Sequence, residues 1–234
     1  MATQVYKTLS RIVGAVLLVL GVAALFGANF AHGFVSDQLE QQAISMPAEQ
    51  AIDAQVTSGR ISEDDAKALR PFAGEIMSTG PQAQAFADHY IAAHMKAAAK
   101  GAGVPDDKAS YSGIGSLVTE KTNALKAELK ALPENSNKSE QELTGLANAE
   151  IANPGSEYQT AKDAAKLQAL RMDTFLDGNT LRGMLLNAYG WWLVGTIAQA
   201  AGWVLIVVGA GLLALGFVLK PKAVETTRDT AVSV

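Results

Sequence analysis

Two uninterrupted apolar segments constrain this chain more than any other feature of its sequence. The first runs from Ile12 to Ser36 with no ionisable side chain other than His32, and the second runs from Gly183 to Leu219 with no acidic or basic residue. A helix that crosses a bilayer needs roughly 20 apolar residues, and these segments contain 25 and 37. The sequence therefore predicts a membrane protein with two transmembrane helices rather than a soluble protein or a polytopic transporter.

The charges that flank the two segments predict the topology. Five basic residues lie between the apolar segments and the two ends of the chain: Lys7, Arg11, Lys220, Lys222 and Arg228. Basic residues beside a span stay in the cytoplasm, so both termini are predicted to be cytoplasmic. The 146 residues between Asp37 and Arg182 would then lie outside, and their 14 basic and 21 acidic residues give a net charge of −7. This acidic balance argues against nucleic acid as a partner.

The predicted fold is an all-α membrane protein: an antiparallel two-helix transmembrane hairpin with an inserted extracytoplasmic helical bundle. Its parts are a cytoplasmic N-terminus over 1–11, a transmembrane helix over 12–36, an extracytoplasmic α-helical domain over 37–182, an interfacial helical part over 183–198, a second transmembrane helix over 199–219 and a cytoplasmic tail over 220–234. A cleaved signal peptide is the alternative for the first segment, which is longer than the roughly 7–15 apolar residues of such peptides.

The second segment is too long for one perpendicular span. Its 37 residues would extend about 55 Å as a helix, against a hydrocarbon core of about 30 Å. Its first part is therefore expected at the outer interface, where three residues would form an aromatic belt: Tyr189, Trp191 and Trp192. A turn over 177–179, followed by Thr180 as N-cap, is predicted to open this helix.

Small residues recur every seven positions in both segments, at Gly14, Gly21 and Ala28 and at Gly195, Gly202, Gly209 and Gly216. Such a stripe allows close approach of two membrane helices in a left-handed crossing. We predict that it packs the two helices together, with Gly14 opposite Gly216 and Gly21 opposite Gly209. Asn29 and Gln199 would then lie at the same depth and form an interhelical polar pair. Packing against another subunit is the alternative use of the stripe.

The central region is predicted to be helical with a thin core. It contains 27 alanines and 32 large apolar residues, and it lacks the alternating β-branched runs of strands. Alanine buries less area than leucine, so modest stability is expected. The chain has no cysteine, and no disulfide can brace this domain.

The sequence shows no convincing catalytic or metal-binding constellation. His89 and His94 are five residues apart on one predicted helix, about 140° apart around its axis, unlike the i, i+4 pair of a zinc helix. The acidic clusters at 63–65 and 106–107 suit the first turns of helices. We therefore predict no catalytic residues, no cofactor and no metal, and the chain is not expected to be an enzyme.

Four stretches resemble a family of small actinobacterial membrane proteins: 38–42 (QLEQQ), 87–94 (ADHYIAAH), 111–112 (YS) and 180–191 (TLRGMLLNAYGW). Members of that family often carry the name aromatic ring-opening dioxygenase, an activity that needs a metal held by histidine and carboxylate. The histidines of this chain are poorly placed for such a site. The resemblance implies an actinobacterial plasma-membrane protein, and respiratory supercomplexes of those bacteria contain accessory subunits of similar build.

The leading hypothesis is a non-catalytic accessory subunit of a larger plasma-membrane complex, for which a respiratory supercomplex is a possible host. Its expected partners are membrane lipids and other membrane protein subunits. Two alternatives stay open: a ligand-binding or sensory module of the envelope, which needs a pocket in the outer domain, and a homo-oligomeric membrane scaffold.

Overall fold

The computed structural model describes residues 2–218, with side-chain environments for residues 4–218, and its regular secondary structure is helical. Its α-helices are α1 (Ala2–Gln41), α2 (Glu49–Thr57), α3 (Glu63–Leu69), α4 (Gly80–Ala85), α5 (Ala92–Gly101), α6 (Tyr111–Lys130), α7 (Glu140–Ala152), α8 (Gln159–Ala169) and α9 (Asp177–Val218). Short 3₁₀ turns cover Arg70–Phe72, Asp106–Lys108 and Pro133–Asn135. The predicted tail over 220–234 and its basic residues Lys220, Lys222 and Arg228 lie outside the described residues.

The chain divides into two compact units. Within the described residues, one unit contains 2–35 and 191–218, and the other runs from Ser36 to Gly190. The first unit consists of the apolar parts of α1 and α9, which are long and apolar enough to cross a membrane. Contacts along α1 and α9 run in opposite order, so the two helices are antiparallel within this unit.

The second unit is a set of short helices with defined starts. Ser62, Thr79 and Ser139 each cap a helix, and in each case the side chain three residues later bonds back to the capping residue. These capping boxes satisfy backbone N–H groups that the first helical turn leaves free. A single antiparallel bridge joins Ser45 to Ile76, and the described residues form no longer strand.

Two apolar clusters pack the helices from α5 to α8 in the second unit. One contains Met95, Ala99, Val104, Ile114, Leu167 and Phe175. The other joins α6, α7 and α8 through Leu125, Leu129, Leu143, Ala147 and Ala161. Alanine takes a place in both clusters, which lets the helices approach closely but buries little area per residue.

Two stretches of this unit are π-helical, Phe86–Ile91 between α4 and α5 and Leu170–Leu176 between α8 and α9. The predicted turn over 177–179 is wrong, because Asp177 has helical backbone angles and begins α9. Thr180 is not an N-cap, since its hydroxyl donates to the Leu176 carbonyl one turn earlier. Gly178 serves packing instead: a Cβ atom there would lie 2.6 Å from the Met95 sulfur.

Candidate functional site

The glycine stripe lies in the contact between α1 and α9. All seven of its residues are buried: Gly14, Gly21, Ala28, Gly195, Gly202, Gly209 and Gly216. A Cβ atom at Gly14 would lie 2.7 Å from the Gly209 carbonyl oxygen, and one at Gly21 would lie 2.8 Å from the Gly202 oxygen. Both distances are shorter than van der Waals contact, so the backbones approach as closely as only glycine allows.

The register of this contact differs from the predicted one by seven residues. Gly14 faces Gly209 rather than Gly216, and Gly21 faces Gly202 rather than Gly209. A stripe with a seven-residue period looks the same after a shift of seven, so the pattern itself could not choose between the two registers. In the observed register Arg11 lies beside Gly216, and its Nε donates to the Gly216 carbonyl oxygen over 3.1 Å. The Arg11 guanidinium also lies 4.1 Å from the centre of the Phe217 ring.

The predicted polar pair is wrong for the same reason. Asn29 and Gln199 are both exposed, and no hydrogen bond joins them in the described part of the chain. The shift of seven residues moves them to different depths along the contact.

His32 provides a second polar contact between the two helices. Its Nε2 lies 3.1 Å from both the Trp192 carbonyl oxygen and the Thr196 hydroxyl oxygen. A carbonyl oxygen only accepts, so Nε2 carries a proton and donates. The imidazole stacks on the Trp192 indole at 4.2 Å, and a Cβ atom at Gly195 would lie 2.8 Å from its Cδ2. His32 therefore fills a space that the glycine leaves.

The residues of the predicted aromatic belt have different environments. Trp191 is exposed, with 58% of its surface accessible. Trp192 is half-buried and packs on His32. Tyr189, in the other unit, is also half-buried.

The two histidines on α4–α5 make separate contacts. His89 Nδ1 lies 3.0 Å from Asp65 Oδ1, whereas His94 Nδ1 donates to the Tyr90 carbonyl oxygen over 2.7 Å. The two rings therefore have different partners, Asp65 for His89 and the Tyr90 carbonyl oxygen for His94. Within residues 4–218, no three histidine or acidic side chains are grouped closely enough to hold a metal ion.

The acidic cluster over 63–65 lies in the first turn of α3, as the sequence indicates. Asp65 accepts hydrogen bonds from the Ser62 backbone and hydroxyl and faces His89. Partial burial raises the pKa of Asp65, but hydrogen bonds from Ser62 and His89 outweigh this effect, and the pKa is lowered overall. Its role is therefore structural.

Arg182 connects α9 to the first π-helical segment, a contact that sequence reasoning did not find. Its Nε donates to the Ala87 carbonyl oxygen over 3.0 Å, and its Nη2 lies 2.8 Å from Asp88 Oδ1. Both side chains are about one-third exposed, at 29% and 34%. Because the guanidinium holds a backbone oxygen and a carboxylate at once, it fixes the π-helical backbone against α9.

A cavity of about 550 Å³ lies in the second unit, between the two π-helical segments. Tyr90 and Ile91 line it from the first segment, and Asp173 and Thr174 line it from the second. Its wall also contains Arg60, His94 and Asp177, together with the apolar side chains of Met95 and Leu181. The grouping of these polar residues could not be read from the sequence, because they come from distant parts of the chain. π-Helical turns often occur at functional sites, which makes this cavity the candidate site of the domain.

Comparison with known protein families, with curated proteins and with solved structures finds no match for this chain.

Proposed function

We propose that the chain is a two-pass plasma-membrane protein and a non-catalytic accessory subunit of a larger membrane complex. In this proposal α1 and α9 form a transmembrane hairpin with both termini in the cytoplasm. The unit from Ser36 to Gly190 is then an extracytoplasmic domain that contacts other subunits.

The outward side chains of the two apolar helices carry the proposal. Phe26 and Phe30 are each 74% accessible, and on α9 Val207 and Phe217 are 68% and 66% accessible. Exposing a large apolar side chain to water costs about 1.5–3 kcal/mol relative to burial, so rows of them need lipid or protein around them.

The glycine contact supports the same proposal. The glycine stripe packs α1 against α9 within one chain. Partner subunits would therefore contact the outward apolar faces of these helices or the helical domain. The resemblance described above suggests an actinobacterial plasma membrane, and we take a respiratory supercomplex as the first host to test.

Purification of the tagged full-length chain from its native membrane in mild detergent tests the accessory role. We expect it to co-purify with a larger complex in a fixed ratio, measured by native mass spectrometry. Recovery only as a monomer would contradict the proposal, and recovery only as a homo-oligomer would favour the scaffold alternative.

Cysteine labelling tests the topology, because the chain has no native cysteine that the reagent could also label. Gln4 and Asn137 are both exposed, one near the N-terminus and one in the helical domain. An impermeant maleimide applied to intact cells should label Asn137→Cys and not Gln4→Cys. The opposite pattern would contradict the proposed orientation.

A further inference from the structure

We propose that the cavity between the two π-helical segments binds a small organic ammonium ion with an apolar body. This ligand site goes beyond the accessory role and does not depend on it. The polar side chains of the cavity, its apolar wall and its location each contribute to the inference.

The acidic side of the cavity consists of Asp173 and Asp177. Both carboxylates are exposed at its rim, and neither forms an ion pair within residues 4–218. They stand on consecutive turns, one in the π-helical segment and one at the start of α9. Two carboxylates without partners provide acceptors, and no donors, for a ligand.

His94 adds a further acceptor. Its Nδ1 donates to the Tyr90 carbonyl oxygen, which only accepts. In the neutral ring the lone pair is therefore on Nε2. The Tyr90 ring lies 4.3 Å from the His94 ring, and both line the cavity. The Tyr90 ring also stacks on Phe86 at 4.7 Å, so the acceptor on this side of the cavity is His94 Nε2.

The charge of the cavity favours a cation over an anion. Arg60 is the one basic residue, apart from His94, among the side chains that line it, against the two carboxylates. Arg60 is exposed in the turn after α2, and the two carboxylates outnumber it. A metal ion is disfavoured because the acidic and histidine side chains of the described chain form no group of three.

The rest of the wall is apolar. Ile91, Met95 and Leu181 line it together with alanine side chains. Gly178 contributes no side chain, so the Met95 sulfur fits against the α9 backbone. An ammonium group at the carboxylates would therefore be accompanied by an alkyl or aryl body on this apolar wall.

Calorimetric titration of the full-length chain in nanodiscs tests the proposal, with empty nanodiscs as the reference for partitioning. The probes are hexylammonium, hexanol, hexanoate and ethylammonium. We expect hexylammonium to bind saturably and each of the other three probes to bind at least about tenfold more weakly. Hexanol and hexanoate lack the ammonium group that would contact the carboxylates. Ethylammonium lacks most of the methylenes that the apolar wall would bury.

Variants locate the site. Asp173→Asn combined with Asp177→Asn should weaken hexylammonium binding at least about tenfold. Glu157→Gln removes an exposed carboxylate outside the cavity and should leave binding unchanged. Circular dichroism melting of each variant shows whether it is folded. If the double variant is not folded, the two single variants replace it, and each should lose about threefold in affinity for hexylammonium.

Several results would overturn the site. The first is a lack of saturable hexylammonium binding at millimolar concentration. The second is binding of hexanol, hexanoate or ethylammonium as tightly as hexylammonium. The third is a folded Asp173 or Asp177 variant that binds hexylammonium like the unmodified chain. None of them bears on co-purification with a larger complex, so the two proposals fail separately.

Discussion

The carbonyl oxygen of Gly14 lies where a side chain on residue 209 would have to begin. A Cβ atom added at Gly209 would be 2.8 Å from that oxygen and 3.0 Å from the Leu18 backbone nitrogen. Backbone atoms cannot move aside as a flexible side chain can, so the contact between α1 and α9 tolerates no side chain here.

The first prediction concerns this contact. Gly209→Ala should destabilise the packing of the two helices by about 1–3 kcal/mol, the usual cost of overpacking. Gly211→Ala is the matched control, because Gly211 is on the same helix with open space around its Cβ position. Thermal unfolding in detergent should separate the two variants. Equal midpoints would show that the observed register is wrong.

The second prediction concerns the polar contact that His32 of α1 makes with α9. His32→Leu removes the Nε2 hydrogen bonds and the stacking on Trp192, and should cost at least about 0.6 kcal/mol, the average for a hydrogen bond between membrane helices. Gln199→Leu should cost nothing measurable, because Gln199 is exposed. Unfolding by sodium dodecyl sulfate measures both, and a larger loss for Gln199→Leu would favour the register first predicted from the sequence.

The third prediction concerns Arg182. Arg182→Lys keeps the positive charge but cannot hold both the Ala87 carbonyl oxygen and Asp88. We expect the domain to lose about 1–3 kcal/mol, the range for hydrogen bonds to charged groups. Lys96→Gln serves as the control, since Lys96 is exposed. Amide hydrogen exchange over Phe86–Ile91 should accelerate in the Arg182 variant only.

The fourth prediction is a dependence of stability on pH. Because the pKa of Asp65 is lower in the folded chain than its ordinary value of 3.8, the unfolded chain takes up a proton first as the pH falls. Asp65 therefore contributes its full stabilisation of the folded chain above the pKa that it has in the unfolded chain. This contribution is lost as the pH falls through the pKa that it has in the folded chain.

Asp65→Asn should therefore flatten the decrease of the melting temperature between about pH 5 and pH 3. At neutral pH it should cost about 0.5–2 kcal/mol through the lost capping box. Asp64→Asn changes the adjacent exposed carboxylate outside the capping box and should leave the pH profile as it is. Parallel profiles for all three proteins would contradict the role assigned to Asp65.

The all-helical fold and the two long apolar helices could be predicted from the sequence, because both depend on composition and local periodicity. The capping boxes at Ser62 and Ser139 were predictable too, since they depend on residues three positions apart. The register between α1 and α9 could not be predicted, because a seven-residue repeat matches itself after a shift of seven. The contact of Arg11 with Gly216 joins residues that are distant in sequence.

The cavity could not be predicted for a different reason. Its wall combines the turn at Arg60, the end of one π-helical segment at Tyr90 and the middle of another at Asp173. A π-helical turn contains about one residue more than an α-helical turn, and such a change leaves no periodic signal in a short segment. The positions of Asp173 and Asp177 relative to the first π-helical segment therefore could not be read from the sequence.

The fit of Met95 against Gly178 makes this wall sensitive to oxidants. Met95 is 6% accessible, and its sulfur lies against the backbone of α9 at Gly178, where no side chain intervenes. Oxidation to the sulfoxide would add a polar oxygen to a sulfur that packs directly against the α9 backbone. The methionine would have to leave its place, so damage at one sulfur atom would be felt as a loosened crossing of α5 and α9.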